Sequence, residues 1–227
     1  MDDLRVLADA EAVARAAAEF LGEQINSCVA AKGECHVALP GGSTPARCLE
    51  LLAGMDLPWR SIHWYLGDER CYPVAHPERN DSMIERQLWS RIDAPVENRH
   101  PISAELGPAE AAADYAVLIN RLDRLDIVML GIGEDGHTAS LFPGNRALED
   151  SAAVVAVYDA PKPPPERVSL GLNTILSAGR RIVLVSGSSK RAAMTALRQG
   201  KPLPVNRIGP ADWFVDQAAY SNQQDIE

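Results

Sequence analysis

The chain lacks several features that would each have pointed to a class of protein. Its four cysteines, Cys28, Cys35, Cys48 and Cys71, make no CxxC pair and no zinc-ligand spacing, so a disulfide scaffold or zinc module is not expected and reduced thiols are. Basic residues are in deficit, with 22 Lys and Arg against 31 Asp and Glu, for a net charge of -9. Broad binding to nucleic acid or to an anionic membrane needs a basic surface, and neither is expected as a partner. An anionic ligand would have to be drawn in locally, by a few focused donors, against the field of the whole protein. No apolar run reaches the ~18 residues needed to span a bilayer. The start, Met1-Asp2-Asp3-Leu4-Arg5, leads into no long apolar segment, so no secretory signal is expected and the protein reads as cytoplasmic. There is no repeat, linker or charge block, and one domain over residues 1–227 is the economical reading.

What is present is an alternation of strand-like and helix-like segments. Residues 9–31 carry Val13, Ala17, Phe20, Leu21, Ile25 and Val29 at helical spacing and stop at Gly33. A short strand at 35–39 follows, then a helix from Pro45 to about Ala53, opened by proline behind Ser and Thr cap candidates. A strand is expected at 62–67, helices at 80–89 and 108–122, and strands at 126–130, 153–157, 167–172 and 181–186. A helix over 188–197 and a short strand at 211–215 complete the series. This order predicts a three-layer α/β fold, a mostly parallel Rossmann-like sheet with helices on both faces.

Open parallel sheets bind ligands at strand carboxyl ends, and the chemistry-bearing residues cluster there. The strand at 126–130 runs into Gly131-Ile132-Gly133-Glu134-Asp135-Gly136-His137, a glycine-rich turn holding an acid and a histidine. Histidine exchanges a proton near neutrality, so this turn reads as the floor of an active site. Gly131-x-Gly133-x-x-Gly136 matches the dinucleotide fingerprint in letters only. Glu134 and Asp135 would put negative charge where a pyrophosphate must sit, and Asp150 precedes a strand rather than ending one. Gly41-Gly42-Ser43-Thr44 joins a strand to a helix and reads equally as a tight turn or an anion site; it lacks the P-loop ending. Asp68-Glu69-Arg70 follows the strand at 62–67, and Lys190 sits in the strand-to-helix turn Gly187–Lys190. Taken singly, each is an ordinary surface loop or solvated lysine; together they predict one cleft. His36 and His63 fall inside strand patterns and read as core or sheet-face residues, while His76 and His100 read as loop residues beside prolines without a signal of their own.

These segments, as a set, resemble the 6-phosphogluconolactonases, within the larger group that includes glucosamine-6-phosphate deaminases. The matching pieces are Leu39–Pro45, Gly67-Asp68-Glu69-Arg70 with His76–Asn80, Gly131–Pro143, Arg167-Val168-Ser169-Leu170 and Gly187–Lys190, in the family's order from about residue 35 to 190. The resemblance implies hydrolysis of 6-phospho-D-glucono-1,5-lactone to 6-phosphogluconate, the second step of the oxidative pentose phosphate pathway, without metal or organic cofactor. Its partner is then a small phosphorylated sugar lactone; the oligomeric state is left open, a monomer being allowed. The deaminase relatives place a glutamate five residues after the motif histidine, where this chain has Phe142, and commonly have Glu-Tyr where it has Glu69-Arg70. Pro40 departs from the small residue many relatives carry there.

On this reading His137 takes a proton from the attacking water and returns it to the leaving oxygen. Asp135 is too close in sequence to be assumed to orient His137, and contact with a sugar hydroxyl is as good a role. Arg70 holds the phosphate or the developing oxyanion. Asp68 orients hydroxyls or an arginine. Gly41, Gly42, Ser43, Thr44 and Lys190 are expected at the phosphate, with Arg167 a lesser candidate. A deaminating or isomerising enzyme of amino-sugar phosphates and a non-catalytic sugar-phosphate sensor are the competing readings.

Overall fold

The apolar strand segments pair side by side into a single parallel sheet. The structure is a computed structural model that describes residues 3–221. Its strands are β1 (Asp3–Leu7), β2 (Cys35–Leu39), β3 (Ile62–Leu66), β4 (Asp68–Arg70), β5 (Arg99–His100), β6 (Ile127–Gly131), β7 (Val154–Val157), β8 (Arg167–Leu170), β9 (Arg180–Val185) and β10 (Asp212–Asp216). Seven of them form the central sheet in the order β1-β10-β9-β6-β2-β3-β5, and every pair in it is parallel. Val37, Leu39, Trp64, Leu66, Val128, Leu130, Ile182 and Phe214 are buried in it. Strands covered on both faces read as continuous apolar runs, and each such side chain contributes about 1.5–3 kcal/mol by leaving water.

Helices surround the sheet: α1 (Ala10–Lys32), α2 (Ser43–Leu52), α3 (Asn80–Gln87), α4 (Pro108–Ile119), α5 (Leu172–Ser177), α6 (Arg191–Arg198) and α7 (Gln217–Tyr220). α1 begins where the Asp9 carboxylate accepts the Ala12 N–H at 2.9 Å and ends where Gly33 turns left-handed at φ 87°. Val13, Ala14, Ala17, Ala18, Leu21 and Ile25 form its buried face, packed on α2, β9 and β10.

Several features differ from the sequence reading: β5, α5 and α7 were not anticipated, and three further differences concern how the strands are joined. The strand expected at 62–67 ends at Leu66. Gly67 then hinges the chain, its N–H donating to Leu39 O and its carbonyl accepting from Leu170 N. Asp68–Arg70, read as a charged loop, is a strand in a small second sheet, β4-β8-β7, paired antiparallel. β1 was also not anticipated, because its partner β10 lies at the other end of the chain.

Candidate active site

The sheet order leaves β2 in two directions, toward β3 and β5 on one side and toward β6, β9 and β10 on the other. Loops leaving β2 and β6 therefore diverge around a crevice, the topological switch point where parallel sheets take ligands. A cleft of about 320 Å³ opens there. Its walls include Gly41, Gly42, Asp68, Arg70, His137, Arg167 and Lys190, all singled out from sequence. Ser43, Thr44 and Asp135 are not among the lining residues: Ser43 is exposed, and the Thr44 hydroxyl is hydrogen-bonded to that of Ser186. As the first residues of α2, Ser43 and Thr44 instead offer backbone amides beside Gly42.

Two glycines of the cleft leave no room for a side chain as their neighbours stand. A Cβ on Gly133 would stand 2.0 Å from His137 Nδ1, and one on Gly41 would stand 2.0 Å from Asn80 Oδ1. The first glycine lets the imidazole fold back over the β6 turn, and the second lets α3 close on the β2 loop.

His137 is only 19% exposed at its side chain and its Nδ1 lies 2.5 Å from Asp135 Oδ1, which also accepts the His137 backbone N–H at 3.1 Å. Two residues of separation are thus no bar to an orienting contact, because the Gly133–His137 turn, closed by Gly133 N–H to His137 O at 2.8 Å, curls the carboxylate back onto the ring. With Asp135 accepting, Nδ1 carries the proton and Nε2 is the basic nitrogen. Burial pushes the His137 pKa below its ordinary value despite the opposing pull of Asp135 and Asp68. Burial pushes Asp135 up, but the imidazole and its N–H groups outweigh it and hold the carboxyl below its usual range. The Phe142 ring packs on the imidazole, centroids 4.4 Å apart.

Across the cleft the side chains are cationic. Arg70 on β4 and Arg167 on β8 are direct register partners, an arrangement of like charges that costs energy unless an anion lies between them. Arg70 Nη1 donates to Glu78 O, while its Nε is buried without a hydrogen-bond partner in the protein. Arg167 is buried, donates to the carbonyls of Lys162, Pro163 and Pro164, and stacks its guanidinium 5.4 Å from the Phe142 centroid. Burial pushes the pKa of both Arg167 and Lys190 down. A dianion would relieve both, and phosphate is the group these donors suit.

Asp68 is held between the two halves. Its Oδ2 accepts from Ser140 Oγ at 2.6 Å and its Oδ1 from Asn80 Nδ2 at 3.2 Å. Asn80 and Lys162 line the cleft without having been assigned a role from sequence. Asn80 lay inside a matching motif. Lys162, in the proline-rich loop, had no local signal. Among the described residues, no cluster of His, Cys, Asp and Glu spaced to hold a metal ion lines the cleft. His36, His63 and His100 stack on one another away from it, with His100 on β5 rather than in a loop.

The family model "Glucosamine-6-phosphate isomerases/6-phosphogluconolactonase" matches residues 8–217. A 6-phosphogluconolactonase of Mycobacterium leprae is 34% identical, covering 88% of this chain and 87% of that protein. One from Nostoc is 32% identical, over 95% and 96%. The crystal structure of 6-phosphogluconolactonase from Thermotoga maritima superposes with a TM-score of 0.88 at 27% identity, covering 95% of this chain and 99% of that one. Among the described residues no helix is long and apolar enough to cross a membrane.

Proposed function

Because the chain belongs to the family of glucosamine-6-phosphate isomerases and 6-phosphogluconolactonases, we propose that it hydrolyses 6-phospho-D-glucono-1,5-lactone to 6-phospho-D-gluconate in the oxidative pentose phosphate pathway. Within that family the lactonase reading is supported by the names of the relatives above and by Phe142, which stands where deaminases carry a ring-opening glutamate. The single observation that carries the site assignment is one cleft with a carboxylate-oriented imidazole on one wall and a group of cations on the other.

The substrate's phosphate is held by Arg70, Arg167 and Lys190 together with the first amides of α2 beside Gly41 and Gly42. Ser43 and Thr44 act through those amides and not through their hydroxyls. Anchoring the phosphate fixes the distant ester carbonyl near His137, which converts phosphate affinity into orientation. Neutral Nε2 accepts a proton from water as its oxygen bonds to C1. The tetrahedral intermediate then expels the ring oxygen, which takes that proton back from the imidazolium, so lactone and water become the open acid. Asp135 keeps the proton on Nδ1 and stabilises the transient imidazolium. Asp68, pinned by Ser140 and Asn80, orients sugar hydroxyls and the facing arginines.

The test is a coupled measurement of acid release from freshly generated lactone, corrected with an enzyme-free blank. His137→Ala is expected to lower kcat by about 10²–10⁴-fold, the usual contribution of a positioned acid–base group. A folded variant working at the wild-type rate would remove His137 from the mechanism. Ammonia release from glucosamine 6-phosphate would overturn the choice of substrate.

A further inference from the structure

Cys28, Cys35 and Asp126 meet at the end of the central sheet opposite the cleft. Cys28 lies near the end of α1, Cys35 opens β2, and Asp126 immediately precedes β6. The two Sγ atoms and a carboxylate oxygen lie within 4.8 Å of one another, and both cysteines are free thiols. The carboxylate is fixed in place. Asp126 Oδ2 accepts the His36 N–H at 2.7 Å, its backbone N–H donates to His36 O, and its carbonyl accepts from Arg180 N. Its Oδ1 already faces a cation, the Lys32 ammonium at 2.6 Å. That lysine side chain is 43% exposed and can swing into solvent, whereas Cys35 is fully buried and Cys28 half-buried.

We propose that Cys28, Cys35 and Asp126 form a binding site for a thiophilic divalent cation of the zinc class, which takes the place of the Lys32 ammonium. Ligand atoms on one tetrahedral zinc, at ~2.3 Å for sulfur and ~2.0–2.2 Å for oxygen, are separated by about 3.6–3.8 Å, which the observed cluster accommodates with side-chain adjustment. Two sulfurs and one carboxylate suit zinc or cadmium far better than magnesium or calcium. The half-buried Cys28 side leaves a fourth position open to water. Binding forms two metal–sulfur bonds and one metal–oxygen bond, releases the two thiol protons to solvent, and transfers no electrons. Ligation requires the thiolates, so the bound cation itself draws those protons off. The cysteine spacing gave no hint of this because the third ligand, just before β6, comes much later in the chain.

The test uses the full chain under reducing conditions. Zn²⁺ is titrated in competition with a chromophoric chelator, and Cd²⁺ is followed by thiolate-to-metal charge-transfer absorption. One ion per chain is expected, with the absorption abolished in Cys28→Ser and in Cys35→Ser. Asp126→Asn should weaken binding by at least the roughly 10–100-fold that loss of an outer-shell partner costs, and Lys32→Met should tighten it. Cys28 is the less buried of the pair, so Cys28→Ser supplies a folded variant if Cys35→Ser fails to fold. Lactone turnover in Cys28→Ser should equal wild type, which separates this site from the catalytic one. Failure to take up one equivalent, or a charge-transfer band that survives Cys28→Ser, would overturn the proposal. So would reduced protein that ignores both ions while peroxide joins the two thiols as a disulfide.

Discussion

The contact between Asp135 and His137 fixes which nitrogen is basic, holds the ring against Phe142, and sets the pH at which the base is lost. Burial places the His137 pKa below the ordinary value of about 6.5. The neutral, active form therefore persists as pH falls through about 6.5, and kcat/KM should fall only on the acid side of that value. Asp135 opposes the shift, since a carboxylate favours the imidazolium. Replacing it with asparagine removes that pull, so the acid limb of the Asp135→Asn profile should move to still lower pH. The rate on the plateau should fall by less than the ~10²–10⁴-fold expected for losing His137 itself. A pH–rate profile measures both; a limb that stays put or moves upward contradicts the assigned orientation. Gly133 and His137 were legible as a site because a strand running into a glycine turn is a local pattern. The role of Asp135 was not, since it depends on how tightly that turn closes, and the collision any Cβ on Gly133 would cause is seen only in three dimensions.

At the level of elements, β4 does the joining. Side chains alternate along a strand, and here Asp68 and Arg70 line the cleft while Glu69 points away and is fully buried. The Glu69 carboxylate accepts from the backbone N–H of Arg70, Asn80 and Asp81, each at 2.8 Å, and lies 3.9 Å from Arg79 Nε. It thus clamps β4 to the N-terminus of α3, which carries the Asn80 that holds Asp68. Glu69→Ala strands these amides, each costing about 1–3 kcal/mol when buried unpaired. A total loss of about 3–5 kcal/mol is expected from the three amides together. Urea unfolding should show the midpoint falling with the slope unchanged, and a loss below about 1 kcal/mol would disprove the clamp. The sequence reading missed β4 because three consecutive charged residues show no apolar alternation, and its pairing with β8 is specified by contacts about a hundred residues away. By contrast β2, β3, β6 and β9 were read within a residue or so, since continuous apolar runs bounded by glycine or charge are local signals.

At the scale of the whole molecule, the net charge of -9 opposes the approach of a phosphorylated substrate, and the cations at the switch point must overcome it locally. The two fields have different ranges. At ionic strength of about 0.01 M the screening length is ~30 Å, so charges over the entire surface act on an incoming dianion; at about 0.1 M it is ~10 Å, and only the cleft remains in view. Raising salt across that interval should therefore raise kcat/KM, because the distant repulsion is removed while Arg70, Arg167 and Lys190 still act at contact. At about 1 M the screening length is ~3 Å, comparable with the contacts themselves, and kcat/KM should fall again. Measured with an inert monovalent salt, the profile should pass through a maximum. A steady decline from the lowest ionic strength would mean that the cleft's own field governs approach at every distance, and that the acidic surface has no part in setting the rate.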